Sequence, residues 1–175
     1  TYSNEGSVNI PDHEWNDFGT CDNCGQGKPG FIEQNADGYF LVNTPEQLVY
    51  MSNYATNNPT AKILITQDLD MAEVTDQYRP IRGAYAGIFD GGGHTISNLI
   101  INSNLTQVGL FGNMAEGGKV SNLVFVNPTV KVNDGNLFVG VVAGMAMTDT
   151  LPTPTRAAQS YWIPNPITAT HRFRR

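Results

Sequence analysis

Three side chains near the start of the chain, those of His13, Cys21 and Cys24, have the types and spacing of metal ligands. A Cys-x-x-Cys pair places two thiols in one turn, and the preceding imidazole adds a third ligand that suits zinc. Zinc prefers four ligands, so the set predicts a structural zinc site that needs one more. The candidates for the fourth position are a water molecule, Asp12, Asp22, His94 and His171. Two other states are open for the cysteines, a Cys21–Cys24 disulfide in an oxidising compartment or two free thiols.

The carboxylates of Asp68, Asp70 and Asp90 form a second set of candidate ligands. Calcium binds several oxygen ligands at once, so carboxylates that meet in the fold would form a calcium site. The alternative interpretation is that these aspartates accept hydrogen bonds in turns, which is a common use of this residue.

The sequence contains no motif of a known catalytic centre. It lacks the His-Glu-x-x-His pattern of metallopeptidases, the Gly-x-Ser-x-Gly pattern of hydrolases and a Walker loop. No oriented nucleophile accompanies Asp90 and His94. We therefore predict that the protein is not an enzyme and has no catalytic residue. The alternative is a carbohydrate-binding or carbohydrate-active protein whose exposed tyrosines stack on sugars. The tyrosines considered are Tyr39, Tyr50, Tyr54, Tyr78 and Tyr85.

Two segments of similar sequence indicate how the chain is organised. Residues 95–101 (TISNLII) resemble residues 119–125 (KVSNLVF), 24 positions further along. A glycine followed by two apolar residues recurs at 87–89, 109–111 and 140–142, with spacings of 22 and 31. Repeats of about 20 to 50 residues are typical of proteins that stack similar units.

Short β-branched runs separated by Gly, Asn and Asp predict strands throughout this region. No helical segment lies between the runs, which argues against an α/β fold. We predict an all-β protein, a short right-handed parallel β-helix of about three to four coils with an N-terminal capping helix. The predicted repeat positions are Gly87, Asn98, Leu99, Gly109, Phe111, Asn122, Leu123 and Gly140.

The 24-residue offset leads to a specific prediction of which residues stack. Leu99 should lie over Leu123, and Asn98 should lie over Asn122, where side-chain amides can form a ladder. The repeated glycines are expected at bends where two backbones approach closely or φ is positive.

A helix is predicted just before the repeats. Thr44 suits the N-cap, Pro45 suits the first turn, and Gln47 completes a capping box. Apolar residues continue at helical spacing to about Tyr54 or Ala55.

Three regions differ in composition. Residues 1–38 are predicted to form a loop-rich leader, residues 39–147 the capped β-helix, and residues 148–175 an irregular, Pro-rich, basic tail. Residues 1–149 hold all sixteen acidic residues but only six of the ten Lys and Arg residues, a balance that repels nucleic acid. Because no run of 18 apolar residues occurs, we also predict no membrane span.

The run from residue 81 to residue 144 resembles the GLUG-motif repeats of bacterial surface proteins. The matching segments are 89–99, 108–112, 120–123 and 139–144, and the upstream segments 68–71 and 79–81 fit the same arrangement. The resemblance implies a secreted or cell-surface location in a bacterium, in adhesin-like chains or beside immunoglobulin-A metallopeptidase modules. It assigns no catalytic residue to the repeat.

These observations together predict a non-catalytic structural or adhesion module. Its expected partners are a glycan or a protein of a host or bacterial surface, and no nucleic acid. A filament-forming or stalk-forming subunit is a close variant, because stacked coils can continue end to end between chains.

Overall fold

The computed structural model describes residues 13–132 and 138–146. Strands dominate these residues, which contain one α-helix and one short 3-10 helix, so the predicted all-β class is confirmed. The strands are β1 (Glu33–Gln34), β2 (Tyr39–Val42), β3 (Lys62–Ile65), β4 (Leu69–Asp70), β5 (Ile81–Tyr85), β6 (Ile88–Asp90), β7 (Thr95–Ser97), β8 (Ile100–Asn102), β9 (Gln107–Val108), β10 (Phe111–Met114), β11 (Lys119–Ser121), β12 (Val124–Val126), β13 (Thr129–Lys131), β14 (Phe138–Val139) and β15 (Ala143–Ala146). The 3-10 helix is Thr75–Gln77.

The α-helix, α1, spans Pro45–Asn57 and begins as the sequence predicts. The Thr44 hydroxyl accepts the Gln47 N–H at 3.3 Å, while the Gln47 side chain accepts the N–H of Asn43 at 2.9 Å. The cap therefore resembles a capping box, except that the Gln47 side chain bonds the N–H of Asn43 instead of the N–H of the N-cap residue Thr44. The face of α1 that packs against β2 and β5 buries Leu48, Val49, Met51, Ser52 and Ala55.

Parallel pairing joins strands that lie far apart in the chain. The larger sheets have the orders β1-β2-β3-β6-β11, β4-β7-β12 and β5-β10-β15, and β8 and β9 pair with β13 and β14. Among the described strands, only β1 and β2 pair antiparallel. Because β1 lies within the segment assigned to the leader, that segment joins the first sheet through its last residues.

From β5 onward, the register of the sheets differs from the predicted 24-residue offset. Phe125 is the Cα partner of Ile96, 29 positions earlier, and Val120 is the partner of Phe89, 31 positions earlier. The predicted offset of 24 residues is therefore wrong for these strands. The offset of 31 between the glycines at 109 and 140 is confirmed, because Val108 and Val139 are Cα partners in the ladder just before them.

The predicted contacts between the two Ser-Asn-Leu segments, residues 97–99 and 121–123, each of which forms a corner of the chain, are also wrong. The carbonyl oxygen of Leu99 accepts the N–H of Thr129 at 2.9 Å, and that of Asn122 accepts the N–H of Gly93 at 3.1 Å. The two corners thus neighbour different parts of the chain. Asn98 and Asn122 share a left-handed backbone, with φ of 55° and 49°, so their sequence likeness reflects the same local bend.

The repeated glycines lie where backbones approach closely. A Cβ atom on Gly87 would fall closer than 3.0 Å to the Ala61 carbonyl oxygen, and one on Gly109 would meet the Gly140 carbonyl oxygen at 2.7 Å. Neither of these two glycines has a positive φ, so close approach is the reason for glycine at both positions.

Aromatic side chains form the centre of the core. The Phe111 ring stacks on Tyr85 with centroids 4.8 Å apart and meets Phe89 edge-on at 5.5 Å. All three residues are fully buried. Each contributes about 1.5–3 kcal/mol by burial, with a further contribution from ring geometry.

Two of the tyrosines considered for sugar stacking lie inside this core. Tyr78 and Tyr85 are buried, and their hydroxyls donate to the carbonyl oxygens of Leu110 at 3.1 Å and Ala61 at 2.7 Å. Burial raises the pKa of both phenols, which keeps the donors protonated. The expectation of exposure is therefore wrong for these two residues.

The described helices are all too short or too polar to cross a lipid bilayer. The predicted basic tail, residues 148–175, lies outside the described residues.

Candidate metal centre

The segment that carries the candidate metal ligands is a compact double turn. Isolated antiparallel bridges join Trp15 to Cys21 and Thr20 to Gly27. Within the turn, the Gly25 N–H donates to the Cys21 carbonyl oxygen at 2.7 Å. Gly25 has a φ of 71°, a left-handed conformation that glycine adopts without strain. This geometry closes the Cys-x-x-Cys turn and brings the two thiols together.

The structure brings all three predicted ligands to one place. One ligand atom from each of His13, Cys21 and Cys24 lies within 4.8 Å of the other two. The His13 Nδ1 lies 3.5 Å from the Cys24 Sγ. The His13 ring stacks on Trp15 with centroids 4.9 Å apart, which limits its orientation. No disulfide joins the two cysteines in the structure, where Cys21 is buried and Cys24 is exposed.

The surroundings of Cys21 favour its thiolate form. Hydrogen bonding with His13 is the largest effect and lowers the pKa of the Cys21 thiol from 9.0 to about 7. The backbone N–H groups of Cys24 and Asn23 act in the same direction, while burial opposes them. Because metals bind the thiolate, a lowered thiol pKa is the condition that a metal ligand needs near neutral pH.

Two of the candidate fourth ligands are engaged elsewhere. The Asp22 carboxylate accepts a hydrogen bond from the Asn16 side chain at 2.7 Å. The His94 ring lies 3.4 Å from the Asp68 carboxylate, in another part of the fold. The remaining protein candidates, Asp12 and His171, lie outside the described residues.

The calcium candidates Asp70 and Asp90 link successive parts of the chain through asparagine side chains. The Asn98 amide donates to Asp70 at 2.8 Å, and the Asn122 amide donates to Asp90 at 3.0 Å. Each aspartate also accepts a backbone N–H two residues ahead. The Asn98 amide is the main cause that lowers the pKa of Asp70.

The third calcium candidate, Asp68, has a similar role. It accepts the Thr95 N–H at 2.8 Å, and this bond is the main cause that lowers its pKa. The Thr95 side chain and then the His94 ring contribute weaker effects in the same direction. The described contacts of all three carboxylates are hydrogen bonds at bends of the chain, and among the described residues no two of these carboxylates are grouped with a third possible ligand.

Sequence reasoning did not identify the backbone donors to Cys21 or the aspartate–asparagine links. The sequence signal for the backbone donors to Cys21 was Gly25, the glycine that follows Cys24, because glycine permits the tight turn. The links join residues 28 and 32 positions apart, and no short motif specifies such pairs.

No family model matches the chain. No solved structure matches it significantly. The chain is similar to Halomucin of Haloquadratum walsbyi, with 34% identity over 112 residues. The match covers 56% of this chain and 1% of Halomucin, so the chain spans about one hundredth of that relative.

Proposed function

We propose that this chain is a non-catalytic structural or adhesion module of a secreted or cell-surface protein, built as a short right-handed parallel β-helix. In this proposal α1 covers one end of the stack, and the outer surface of the coils is displayed to partners. The resemblance to GLUG-motif repeats is part of the same proposal.

The observation that carries the proposal is the alignment of apolar side chains across parallel strands. Phe40, Ile63, Phe89 and Val120 are successive Cα partners along β2, β3, β6 and β11. A second column runs through β4, β7 and β12 by way of Ile96. Such columns bury similar residues on one another, as expected where coils stack.

The surface location is supported by the resemblance to repeats of bacterial surface proteins. The partial similarity to Halomucin is consistent with a module that occurs within a much longer protein. Antibody labelling of intact and permeabilised cells tests the location. Equal labelling without permeabilisation supports it, and labelling only after permeabilisation contradicts it.

The absence of catalysis is supported by the use of the carboxylates as corner acceptors, since Asp70 and Asp90 are both hydrogen-bonded across the sheets. Incubation with a panel of polysaccharides should release no reducing ends. Release that is lost in Asp90→Asn but kept in Asp37→Asn would overturn the non-catalytic proposal in favour of a carbohydrate-active protein.

The filament variant has a structural basis at the last strands. Val126, Val132, Phe138 and Val139 are each at least 41% exposed, although they are apolar. An edge of this kind can pair with another chain. Light scattering at increasing concentration tests the variant. An increase of the particle mass with concentration that is abolished in Phe138→Lys supports the filament variant. A mass that stays that of the monomer contradicts the variant.

We also propose that His13, Cys21 and Cys24 hold a structural zinc ion. Its support is the grouping of the three ligand atoms and the lowered thiol pKa. The metal would fasten residues 13–28 into one turn, since zinc binding contributes directly to folding in small segments.

Metal analysis of reduced, purified protein tests the zinc proposal. We expect one equivalent of zinc, lost in Cys21→Ser and in His13→Ala, and kept in the control His94→Ala. Zinc content that is equal in all four proteins, or no zinc after loading, would contradict it. A disulfide in freshly isolated protein would favour the rival state of the two cysteines.

A further inference from the structure

A cleft of about 500 Å³ lies between the 3-10 helix Thr75–Gln77 and the strands β8 and β13. Its volume is within the range of sites that bind small molecules. The charged groups that line it are Arg79, Arg82, Lys131 and Asp76. Three of the six cations found in residues 1–149 thus line one cleft, although sixteen acids are spread over the same residues.

The fold brings these cations together from separate parts of the chain. Lys131 reaches the cleft because β13 pairs with β8, which places Lys131 opposite Asn102. Arg79 is fixed by one terminal nitrogen, which donates to the carbonyl oxygens of Asp76 at 2.6 Å and Tyr78 at 2.8 Å. Arg82 follows in β5 and is exposed.

The cations of the cleft have no carboxylate partner among the described residues. Within residues 13–132 and 138–146, the one ion pair closer than 4.0 Å joins His94 to Asp68. Positive side chains in an acidic protein would ordinarily pair with the more numerous acids. Among the described residues, the cleft is therefore lined by three cations and by the single carboxylate of Asp76, which is an excess of positive charge at one cavity.

We propose that this cleft binds an oligosaccharide that carries carboxylate groups. Arginine is suited to a carboxylate because its planar guanidinium donates two parallel hydrogen bonds. The remaining lining combines the amide groups of Asn102 and Asn104 with the apolar side chain of Ile100. These groups suit sugar hydroxyls and ring faces. The acidic body of the protein repels dense polyanions, which favours a ligand with about one charge per sugar over a heavily sulfated one.

This inference rests on the cleft, and therefore on the pairing of β13 with β8, but not on the proposed surface location or adhesion role. If the cleft does not bind the ligand, the strand pairing is unaffected. The strand register is tested separately, by disulfide formation between cysteine pairs, without any ligand.

Calorimetric titration with oligogalacturonate tests the inference, with neutral dextran oligosaccharides and sulfated dextran oligosaccharides as comparison ligands. We expect binding to oligogalacturonate that weakens as salt concentration increases, and no binding to neutral dextran. The double variant Arg82→Gln/Lys131→Gln should bind about tenfold more weakly.

The matched control is Lys28→Gln/Lys119→Gln, which removes the same charge from two exposed positions outside the cleft. Its affinity should equal that of the wild type. Equal losses in both double variants, equal binding of neutral and acidic sugars, binding of the sulfated probe alone, or no binding at all would each overturn the inference.

Discussion

The Asn98 side-chain amide donates a hydrogen bond of 2.8 Å to Asp70, across 28 residues of chain. Asn98 adopts a φ of 55°, so this one residue both forms the bend after β7 and links that bend to β4, which holds Asp70. Asn122 repeats this arrangement with Asp90. These two links, made by side chains, connect strands whose backbones already pair in parallel.

Replacing Asn98 by glycine should change the titration of Asp70. Glycine keeps the left-handed backbone but removes the amide, so the pKa of Asp70 should rise toward its ordinary value of 3.8. In the wild type the lowered pKa stabilises the fold above about pH 4, and this contribution is lost as the pH falls through the lowered pKa. Carbon-detected NMR titration and urea unfolding at neutral and acid pH measure the two effects.

The matched control for this substitution is Asn122→Gly. It removes an equivalent corner amide, but one that bonds Asp90, so the pKa of Asp70 should not change. An Asp70 titration that is identical in Asn98→Gly and in the wild type would show that the link does not persist in solution.

Replacing Phe111 by alanine should destabilise the protein by about 3–5 kcal/mol, because the ring is buried between Tyr85 and Phe89 and its removal leaves a cavity. The control Phe138→Ala removes a ring that is 47% exposed, and should change the free energy of unfolding by about 0.5 kcal/mol or less. Urea denaturation measures both. Similar losses in the two variants would contradict the placement of the core.

Two glycine substitutions separate close backbone approach from backbone conformation. A Cβ on Gly87 would collide with the Ala61 carbonyl oxygen, so Gly87→Ala should cost about 3 kcal/mol. Gly117 has a φ of 86° and open space around it, so Gly117→Ala should cost only about 1–2 kcal/mol. Thermal and urea unfolding check the order, and the reverse order would contradict the packing at Gly87.

Replacing His13 by alanine should raise the pKa of Cys21 in metal-free protein. Hydrogen bonding with His13 is the largest effect that lowers this pKa to about 7, so its loss should move the titration toward 9.0. The thiolate absorbance of a Cys24→Ser background, followed against pH, reports the midpoint. His94→Ala in the same background should leave the midpoint unchanged. A midpoint that does not respond to His13→Ala would show that His13 is not the main cause of the lowered Cys21 pKa, and would leave only its 3.5 Å contact with Cys24.

The helix and the strands could be predicted because local chemistry determines them. Thr44 and Pro45 specify the start of α1 without help from the rest of the fold. Its end was predicted two or three residues too early, because the Asn58 N–H bonds the Tyr54 carbonyl oxygen and adds a last turn.

The register could not be predicted from the similar segments. The Ser-Asn-Leu sequences around Asn98 and Asn122 build the same kind of bend, but the two bends lie at different corners. The residue that follows β12, as Asn98 follows β7, is Asn127, which also has a positive φ. Sequence likeness therefore reported local geometry, whereas stacking depends on the length of chain between the corners.

The candidate metal ligands could be predicted, and one reason is that Cys21 and Cys24 belong to a short motif. The grouping of the cleft cations could not be predicted from the sequence, because Lys131 lies near Arg79 and Arg82 only through the pairing of β13 with β8.

The central claim, that the strands from β5 onward pair in parallel with an offset of 29 to 32 residues, is tested most directly by cysteine pairs. Ser97 and Val126 are Cα partners, and neighbouring strands lie about 4.8 Å apart, within reach of a disulfide. In a Cys21→Ser/Cys24→Ser background, Ser97→Cys/Val126→Cys should form an intramolecular disulfide under mild oxidation, whereas Ser97→Cys/Ser121→Cys should remain reduced. Peptide mapping that finds the 97–121 disulfide and not the 97–126 disulfide would contradict the account.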